Sequence, residues 1–259
     1  CTAGDTIINL DKLTYSGNLE NLASLHDSSR HIFVHGDIGN EELVEYLLKI
    51  YQPDAIVNFA AESHVDRSII DPEAFVRTNV LGTCTLLRTA KAWWNELAAD
   101  RKDAFRFLHV STDEVFGLFN PEIQLYGDDA LQSQQSLFRF EAASDHFVRA
   151  FYETYGFPAL ITNCSNNYGP RQFPEKLIPL VTLNALARKT LPVYGTGSNI
   201  RDWLHVEIMP AIQRVLEAGK TGQTYNIGGN SERTNLQVVH GICDVLDAVC
   251  PSARPVCRS

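Results

Sequence analysis

Short apolar runs rich in β-branched residues alternate along this sequence with longer stretches in which apolar residues recur every three or four positions. This alternation is typical of a parallel sheet covered by helices, because buried parallel strands are apolar on both faces. The sequence therefore predicts the α/β class with a doubly wound parallel sheet. Strands are predicted at 6–10, 31–37, 55–61, 105–111 and 158–164, and helices at about 40–50, 72–98, 142–155, 174–187, 207–218 and 235–249.

Charge and composition argue against several classes of partner. The 22 basic and 31 acidic residues give a formal charge of -9, which repels phosphate backbones and anionic lipid, so neither nucleic acid nor a membrane is expected as a partner. No apolar run reaches the roughly 18 residues of a membrane span and no leader opens the sequence, so a cytoplasmic protein is expected. Six cysteines without a C-x-x-C pair or clustered histidines predict reduced thiols and no metal site.

Polar residues follow the predicted strands at the edge where doubly wound sheets bind their ligands. Asp11 ends the first run, where a carboxylate can accept the ribose hydroxyls of an adenosine. Asp37 and Ile38 follow the second run, where an adenine edge can rest. An aspartate at a strand end is often only a helix cap, so the sequence leaves both interpretations of Asp11 and Asp37 open.

The phosphate loop that should accompany Asp11 is missing from the sequence. A G-x-x-G-x-x-G turn would lie roughly twenty residues earlier, yet only ten residues precede Asp11, and the only methionine is Met209. We therefore expect a truncated sequence whose Rossmann-type sheet lacks its first strand, Gly-rich loop and first helix, which leaves no central strand between 6–10 and 55–61. The expected domains are a dinucleotide-binding domain at 1–165 and a smaller, truncated substrate-binding lobe at 166–259, where proline, glycine and aromatic residues become more frequent.

Five motifs together resemble one family. They are "NFAAESHVDRSI" (58–69), "STDEVFG" (111–117), "NCSNNYGPRQFPEKLIPL" (163–180), "PVYGTGSNIRDWLHVE" (192–207) and "TYNIGG" (224–229). In this order they resemble the dTDP-glucose 4,6-dehydratases of the extended short-chain dehydrogenase/reductase family, essentially from end to end. The resemblance implies NAD as cofactor, dTDP-glucose as substrate and a homodimer. In that family a hydride leaves C4 of the glucose for NAD+, water is eliminated across C5 and C6, and the hydride returns to C6.

The adjacent carboxylates of "STDEVFG" suit the dehydration step. Elimination needs an acid for the departing hydroxyl and a base for the C5 proton. The resemblance implies Asp113 as the acid, Glu114 as the base and Thr112 as a hydrogen-bond donor to the sugar. In the plainer interpretation the two carboxylates only cap the following segment. Epimerases of the same fold typically have small hydroxyl residues at these positions, so the pair favours a dehydratase.

The resemblance also implies residues that bind the two ligands. Taken singly, a lysine or arginine among them would more often be a solvated surface charge, although the planar fork of arginine suits a diphosphate. For the cofactor they are Asp11, Lys12, Leu13, Thr14, Asp37, Ile38, Phe59, Ala60, Ala61, Ser63, Thr78 and Asn167. For the substrate they are Ser63, Thr112, Asn166, Lys176, Leu177, Pro192, Tyr194, Arg201 and Asn235.

The hydride step of the family requires Tyr-x-x-x-Lys on one helix face, where the tyrosine accepts the proton of the C4 hydroxyl. Counting back from "AASDHFVRA", these positions are Leu137 and Glu141. Leucine cannot exchange a proton and a carboxylate cannot replace the ammonium, so little or no activity is expected of this chain. Two alternatives stay open: a non-catalytic paralogue that binds a nucleotide sugar, which these two residues favour, and a related NAD-dependent sugar epimerase.

A disturbed reading frame would explain these residues. A back-translation of Leu125–Glu141 with permitted codons, read one nucleotide later, spells FTETTRYNPNSPYSASK, which contains the family's tyrosine and lysine. Single-base losses in homopolymer runs likewise convert the family's VEDHARAI into "VEIMPAI" (206–212). We therefore expect Leu125–Glu141 and Glu207–Ala211 to derive either from a read of a dehydratase gene with single-base deletions or from a decayed copy of such a gene.

Overall fold

The computed structural model describes residues 4–25, 28–116, 134–193 and 195–250. The chain divides into two compact units, each built from two stretches of sequence. Unit 1 comprises Cys1–Asn163 and Ile212–Asn226, and unit 2 comprises Cys164–Ala211 and Ile227–Ser259. Parallel strands with intervening helices confirm the predicted α/β class.

The predicted strands are all present, and further short strands follow Cys164. The strand predicted at 55–61 ends at Asn58, because Asn58 Oδ1 accepts a 3.2 Å hydrogen bond from the Ala60 amide and turns the chain out of the sheet. The later strands were not predicted because they are short and carry polar or charged residues. The strands are β1 (Ile7–Asp11), β2 (His31–His35), β3 (Ala55–Asn58), β4 (Arg106–Thr112), β5 (Ala159–Cys164), β6 (Asn166–Tyr168), β7 (Ile200–His205), β8 (Thr224–Ile227) and β9 (Glu232–Thr234).

The helices agree with prediction best where a cap defines their start. Thr234 and Gln237 form a capping box, and the helix predicted at 235–249 begins and ends as expected. The helix predicted at 72–98 is instead interrupted by a π-helical turn at Val76–Gly82. The α-helices are α1 (Glu41–Tyr51), α2 (Val65–Ile70), α3 (Pro72–Phe75), α4 (Thr83–Asn95), α5 (Ala99–Ala104), α6 (Gln134–Tyr155), α7 (Leu177–Leu186), α8 (Met209–Ala218) and α9 (Asn235–Val249). The short α2 and α5 were not predicted, because fewer than two turns give no clear periodicity.

The strands form three sheets. In unit 1, β1 and β2 pair in parallel, and the larger sheet has the order β3-β4-β5-β8, with Asn58 of β3 opposite His109 of the parallel β4. Among the described residues no strand joins β1 to β3, so the sheet is interrupted where the sequence predicts it. In unit 2, β7 lies between the parallel β6 and the antiparallel β9.

Each unit has an apolar core that fixes its strand ends. In unit 1 the core packs α4 and α6 with β4, and the rings of Trp93 and Phe105 meet edge to face with centroids 5.4 Å apart. In unit 2 Val181 of α7 packs against Val239 and Cys243 of α9. These contacts fix the helices on their sheets by burial of apolar surface.

The cysteines differ from prediction at one position. Cys84, Cys164 and Cys250 are free thiols, whereas Cys243 is disulfide-bonded. The prediction of reduced thiols is therefore wrong at Cys243, because cysteine spacing alone does not reveal pairing.

No described helix is long and apolar enough to span a membrane. The described ranges also contain no group of three or more His, Cys, Asp or Glu side chains that could hold a metal ion.

Candidate active site

The loop after β1 contains four of the predicted cofactor residues. Asp11 Oδ1 accepts a 2.7 Å hydrogen bond from the Leu13 amide, and the Thr14 carbonyl accepts one of 2.9 Å from the Gly17 amide. Leu13 has a φ of 49°, in the left-handed region. A non-glycine residue there costs about 1 kcal/mol, and such residues are concentrated at ligand sites. The loop is thus a defined pair of turns at the sheet edge.

Lys12 and Asp37 connect the ends of β1 and β2. Lys12 Nζ lies 2.7 Å from Asp37 Oδ2, and Asp37 Oδ1 accepts a 2.8 Å hydrogen bond from the Gly39 amide. Burial raises the pKa of Asp37, but these hydrogen bonds and the lysine charge outweigh burial and hold that pKa below its ordinary value. Ile38 is buried, and a Cβ on Gly82 would lie 3.2 Å from its Cδ1. Two predicted cofactor residues from different strands therefore meet as an ion pair.

The segment after β3 contains the residues predicted on the nicotinamide side. The buried Asn79, in the π-helical turn, fixes this segment at Glu62. The Glu62 amide donates to Asn79 Oδ1 at 2.7 Å, and Asn79 Nδ2 donates to the Glu62 carbonyl at 2.9 Å. Asn79 was not singled out from the sequence. Of the predicted residues, Ala60 is half-buried, and Phe59, Ala61 and Ser63 are exposed.

A cavity of about 290 Å³ lies in unit 1 beside these segments. Its lining combines carboxylates, an ammonium, a guanidinium and a hydroxyl, which are groups that recognise ribose hydroxyls and phosphates. Lys12 and Thr78, predicted cofactor residues from distant parts of unit 1, both line it. The lining is of mixed charge, with three carboxylates beside one ammonium and one guanidinium. The complete lining is Lys12, Glu62, Asp71, Glu73, Ala74, Arg77 and Thr78.

The predicted acid and base directly follow β4. Thr112 ends β4, and Asp113 begins a 3-10 turn that runs to Phe116. Thr112 Oγ1 accepts a 3.2 Å hydrogen bond from the Glu114 amide and lies 3.4 Å from Asp113 Oδ1. The Thr112 hydroxyl therefore caps this turn, which weakens the interpretation that the carboxylates are there as caps. All three side chains are half-buried.

The positions predicted for the family's tyrosine and lysine both lie in α6. Leu137 and Glu141 are four residues apart, a rise of about 6 Å, and so fall on one helix face. The backbone geometry for a Tyr-x-x-x-Lys pair is present, whereas the residues differ. The rest of the stretch that is predicted to be frame-disturbed, Leu125–Ser133, and the side chain of Leu137 lie outside the described residues.

A buried polar chain connects β3, β4 and α6. Asn58 Nδ2 lies 3.2 Å from His109 Nδ1, and His109 Nε2 lies 3.6 Å from Asp145 Oδ1. Burial lowers the pKa of His109 to about 4. Burial also raises the pKa of Asp145 to about 6, which Ser111 and the charge of Arg149 only partly offset. The contacts among these three polar residues were not predicted from the sequence, although a histidine inside the apolar run "FRFLHVS" is a signal for a buried polar contact.

In unit 2 the predicted asparagines lie on β6. Asn167 Nδ2 donates a 2.9 Å hydrogen bond to the Ser165 carbonyl, and the Asn167 carbonyl accepts one of 2.9 Å from Gln172 Nε2. Asn166, the first residue of β6, is half-buried. Of the other predicted substrate residues, Lys176 precedes α7, Leu177 begins α7, Pro192 is half-buried and Tyr194 lies outside the described residues.

Arg201 of β7 lies directly opposite Arg233 of β9. Residues directly opposite in an antiparallel pair share one face, where like charges repel each other. An anion on this face would relieve the repulsion, which fits the predicted diphosphate contact of Arg201. Arg233 was not singled out from the sequence. Asn235, another predicted substrate residue, begins α9 right after β9.

Asp202 fixes the glycine-rich loop beside Arg201. Its carboxylate accepts hydrogen bonds of 2.7 Å from the amides of Gly229 and Ser231. Burial raises the pKa of Asp202, but these hydrogen bonds outweigh burial and hold that pKa below its ordinary value. A Cβ on Gly229 would lie 2.2 Å from the Trp203 carbonyl oxygen, so only glycine fits this close approach.

Comparison with known proteins agrees with the motif analysis. The family profile described as GDP-mannose 4,6 dehydratase matches residues 3–253. The dTDP-glucose 4,6-dehydratase of Xanthomonas campestris pv. campestris is 56% identical over 245 residues, which cover 94% of this chain and 70% of that protein. The corresponding protein of Salmonella typhimurium is 51% identical over 259 residues, which cover 96% and 72%.

A solved structure shows the same relationship in three dimensions. It is the crystal structure of dTDP-glucose 4,6-dehydratase from Streptomyces venezuelae with NAD and dTDP bound. The two structures superpose with a TM-score of 0.83 at 43% sequence identity, over 95% of this chain and 73% of that one. The chain therefore belongs to the dTDP-glucose 4,6-dehydratase family.

Proposed function

We propose that this chain is by descent an NAD-dependent dehydratase whose substrate is dTDP-glucose. The observation that carries the proposal is the half-buried triplet Thr112, Asp113 and Glu114 at the carboxyl end of β4. Ligand sites of doubly wound sheets lie beyond this edge. The reaction that we propose is that of the family, which is loss of water from a transiently oxidised glucose.

Asp113 and Glu114 have the two roles that dehydration requires. Asp113 donates a proton to the C6 hydroxyl as it leaves, and Glu114 removes the C5 proton, which is acidic beside a C4 ketone. Thr112 donates a hydrogen bond to the sugar and also caps the turn that contains both carboxylates. The chemistry that bound NAD supplies is reversible storage of a hydride, taken from C4 and returned to C6.

The strand ends of unit 1 are assigned to the cofactor. The Asp11 carboxylate suits ribose hydroxyls, and the Lys12 ammonium, which lines the cavity, suits a phosphate. Lys12 is positioned by Asp37, so loss of either residue should weaken binding. The remaining cofactor residues are Leu13, Thr14, Ile38, Phe59, Ala60, Ala61, Ser63 and Thr78 in unit 1 and Asn167 in unit 2.

The strands and helix starts of unit 2 are assigned to the nucleotide sugar. Arg201 and Lys176 supply positive charge for the diphosphate. The repulsion between Arg201 and the opposite Arg233 supports an anion site on this face. The remaining substrate residues are Asn166, Leu177, Pro192, Tyr194 and Asn235 in unit 2 and Ser63 and Thr112 in unit 1.

The hydride step is not supported by the residues of this chain. Leu137 cannot accept the proton of the C4 hydroxyl, and Glu141 places a carboxylate where an ammonium would bind the cofactor ribose. We infer that the chain has little or no turnover, and that a frame disturbance in Leu125–Glu141 is the cause. Resequencing of the gene tests the cause: an undisturbed frame through Leu125–Glu141 contradicts it.

A second candidate function is binding of a nucleotide sugar without chemistry. Leu137 and Glu141 favour it, because both positions have lost the groups needed for the oxidation. Retention of Asp113 and Glu114 opposes it, because a binding protein has no use for an acid and a base at these positions. An epimerase is opposed by the same pair.

Incubation of the chain with NAD and dTDP-glucose separates these functions. We expect binding of dTDP-glucose, measured by saturation-transfer NMR through the signals of its dTDP group, and no 4-keto sugar, measured by its ultraviolet absorbance in alkali. Accumulation of the 4-keto sugar would contradict the inferred loss of the hydride step. Formation of dTDP-galactose would favour the epimerase, and failure to bind dTDP would contradict the assigned substrate.

We also propose that the chain forms a homodimer and works in the cytoplasm. Exposed apolar side chains on the helices around α6 support an interface, with Ile70 83% and Leu81 57% exposed. A cytoplasmic site is supported by the chemistry of the ligands, since anionic NAD and dTDP-glucose do not cross membranes unaided. Light scattering coupled to size exclusion tests the dimer, and cell fractionation tests the location.

A further inference from the structure

The strongest unexplained feature is the buried chain formed by Asn58, His109 and Asp145. None of these residues has a role in the proposed chemistry, yet each is at most 5% exposed. Buried polar side chains are costly unless they are paired, so the contacts within this set matter to the fold. The three residues come from β3, β4 and α6, with His109 51 positions after Asn58 and Asp145 36 positions after His109.

The hydrogen bonds define the protonation state of His109. Asn58 Oδ1 accepts from the Ala60 amide, so the other end of that side chain, Nδ2, is the donor toward His109. His109 Nδ1 must then be an acceptor, 3.2 Å away, and the ring proton must lie on Nε2. A doubly protonated imidazole would lose the contact with Asn58. Burial also favours the neutral ring, because it lowers the pKa of His109.

The protonated nitrogen faces α6. His109 Nε2 lies 3.6 Å from Asp145 Oδ1, and no hydrogen bond to that oxygen is found among the described residues. The distance is too long for a direct hydrogen bond but short enough for attraction between an N–H dipole and a carboxylate. The other polar groups acting on Asp145 are Ser111 of β4 and His146 and Arg149 of α6. Next to it, Ser144 Oγ donates a 2.6 Å hydrogen bond to the Asn79 carbonyl and fixes α6 to the π-helical turn.

Asn58, His109 and Asp145 lie on the three elements of unit 1 that carry the predicted site residues. Asn58 ends β3, immediately before the nicotinamide-side residues. His109 precedes Thr112 by three positions on β4. Asp145 follows Glu141 by four positions on α6, so it lies on the same face as the hydride-step positions.

We propose that His109 and Asp145 are positioning residues that fix α6 against the ends of β3 and β4, with His109 as a neutral imidazole protonated on Nε2. What they position rests on the proposed function, whereas their own contacts do not. Asp145 acts through His109 and Asn58 on the turn of Asp113 and Glu114, without touching a ligand. Removal of the side-chain oxygen that faces His109 Nε2 should therefore loosen strand ends far from α6 in sequence.

The first test is nitrogen NMR of the His109 ring in the unmodified chain, with assignment from the signal lost in His109→Gln. We expect the shifts of the Nε2-protonated tautomer, unchanged between about pH 6 and about pH 8. A proton on Nδ1, or titration of this ring in that range, would overturn the proposal. This measurement needs no variant of Asp145 that folds.

The second test is hydrogen exchange in three variants of α6. Asp145→Leu removes the carboxylate, Asp145→Asn keeps an acceptor of the same shape, and Glu153→Gln is the control because Glu153 is an exposed carboxylate of the same helix. We expect Asp145→Leu to accelerate exchange about tenfold in both 55–62 and 109–116, and Asp145→Asn and the control to change it less than about twofold. Acceleration confined to α6, or equal in Asp145→Asn and Asp145→Leu, would refute a positioning role. Neither test needs turnover or ligand, so its outcome is independent of the proposed function.

Discussion

Asp202 accepts a 2.7 Å hydrogen bond from the amide of Gly229, 27 positions away, and so fixes the glycine-rich loop of unit 2 on β7. The adjacent Arg201 therefore lies on a strand to which the neighbouring loop is hydrogen-bonded. The Ser231 amide donates a second 2.7 Å bond to the same carboxylate. The position of the glycine-rich loop thus depends on one ionised side chain, that of Asp202.

Replacement of this anchor should destabilise the chain. Asp202→Asn leaves one of the two amides with a neutral acceptor and turns an NH2 group toward the other, and we expect a loss of about 1–2 kcal/mol in the free energy of unfolding by urea. Glu232→Gln is the matched control, because Glu232 lies directly opposite Asp202 on β9 and is exposed. The control should change the free energy by less than about 0.5 kcal/mol. Equal effects of the two substitutions would contradict the anchor.

The buried pair His109 and Asp145 predicts two opposing dependences of stability on pH. The pKa of His109 is lowered to about 4 in the folded chain, so the unfolded chain binds more protons below its ordinary pKa and stability falls as the pH drops from about 6.5 toward 4. The pKa of Asp145 is raised to about 6, so the folded chain binds more protons and stability rises as the pH drops from about 6 toward 4. In the unmodified chain these two contributions have opposite signs and partly cancel.

Single substitutions should reveal each contribution. On acidification from about pH 7 to about pH 5, His109 alone costs about 2 kcal/mol and Asp145 alone contributes about 1 kcal/mol. On this acidification Asp145→Asn should therefore lose more stability than the unmodified chain. His109→Gln should lose less stability than the unmodified chain or become more stable. Urea midpoints at both pH values measure this. The same pH dependence in all three proteins would show that neither residue is perturbed as described.

Gly222 should not tolerate a side chain. Its φ is 79°, and an added Cβ would lie 2.2 Å from Tyr152 Cε1. Gly222→Ala should therefore lower the free energy of unfolding by about 2 kcal/mol or more. Gly156→Ala is the control, since Gly156 has a similar φ of 66° but no atom within 4 Å of the added Cβ. It should cost only about 1 kcal/mol, and thermal melts distinguish the two.

The fold was predictable to the extent that burial determines the pattern of residues. Strands β3 to β5 were found because each contains a short run of mostly apolar residues, as is typical of strands that are covered on both faces. Strands β7 and β9 were missed because their charged residues, such as Arg201 and Arg233, hide the strand pattern. The interruption of the helix at 72–98 was missed because a π-helical turn keeps the apolar periodicity on both sides of it.

The site was predictable where a motif carries the chemistry and not where tertiary contacts do. The family resemblance was confirmed by relatives and by a solved structure, while the role of each residue stays a prediction. The ion pair of Lys12 with Asp37 joins two predicted residues, but nothing in the sequence indicates that they touch. Asn79 and Asp145 were missed because their partners lie far away along the chain.

The central claim is that the acid and base of a dehydratase are retained while the hydride machinery is lost. Proton exchange at C5 of dTDP-4-keto-6-deoxyglucose in D2O tests it most directly, because the base alone can remove a proton next to the existing ketone, without any hydride transfer. The account predicts C5 deuteration by this chain well above the uncatalysed rate, reduced about a hundredfold or more in Glu114→Gln. Exchange no faster than in buffer, or unchanged in Glu114→Gln, would contradict it.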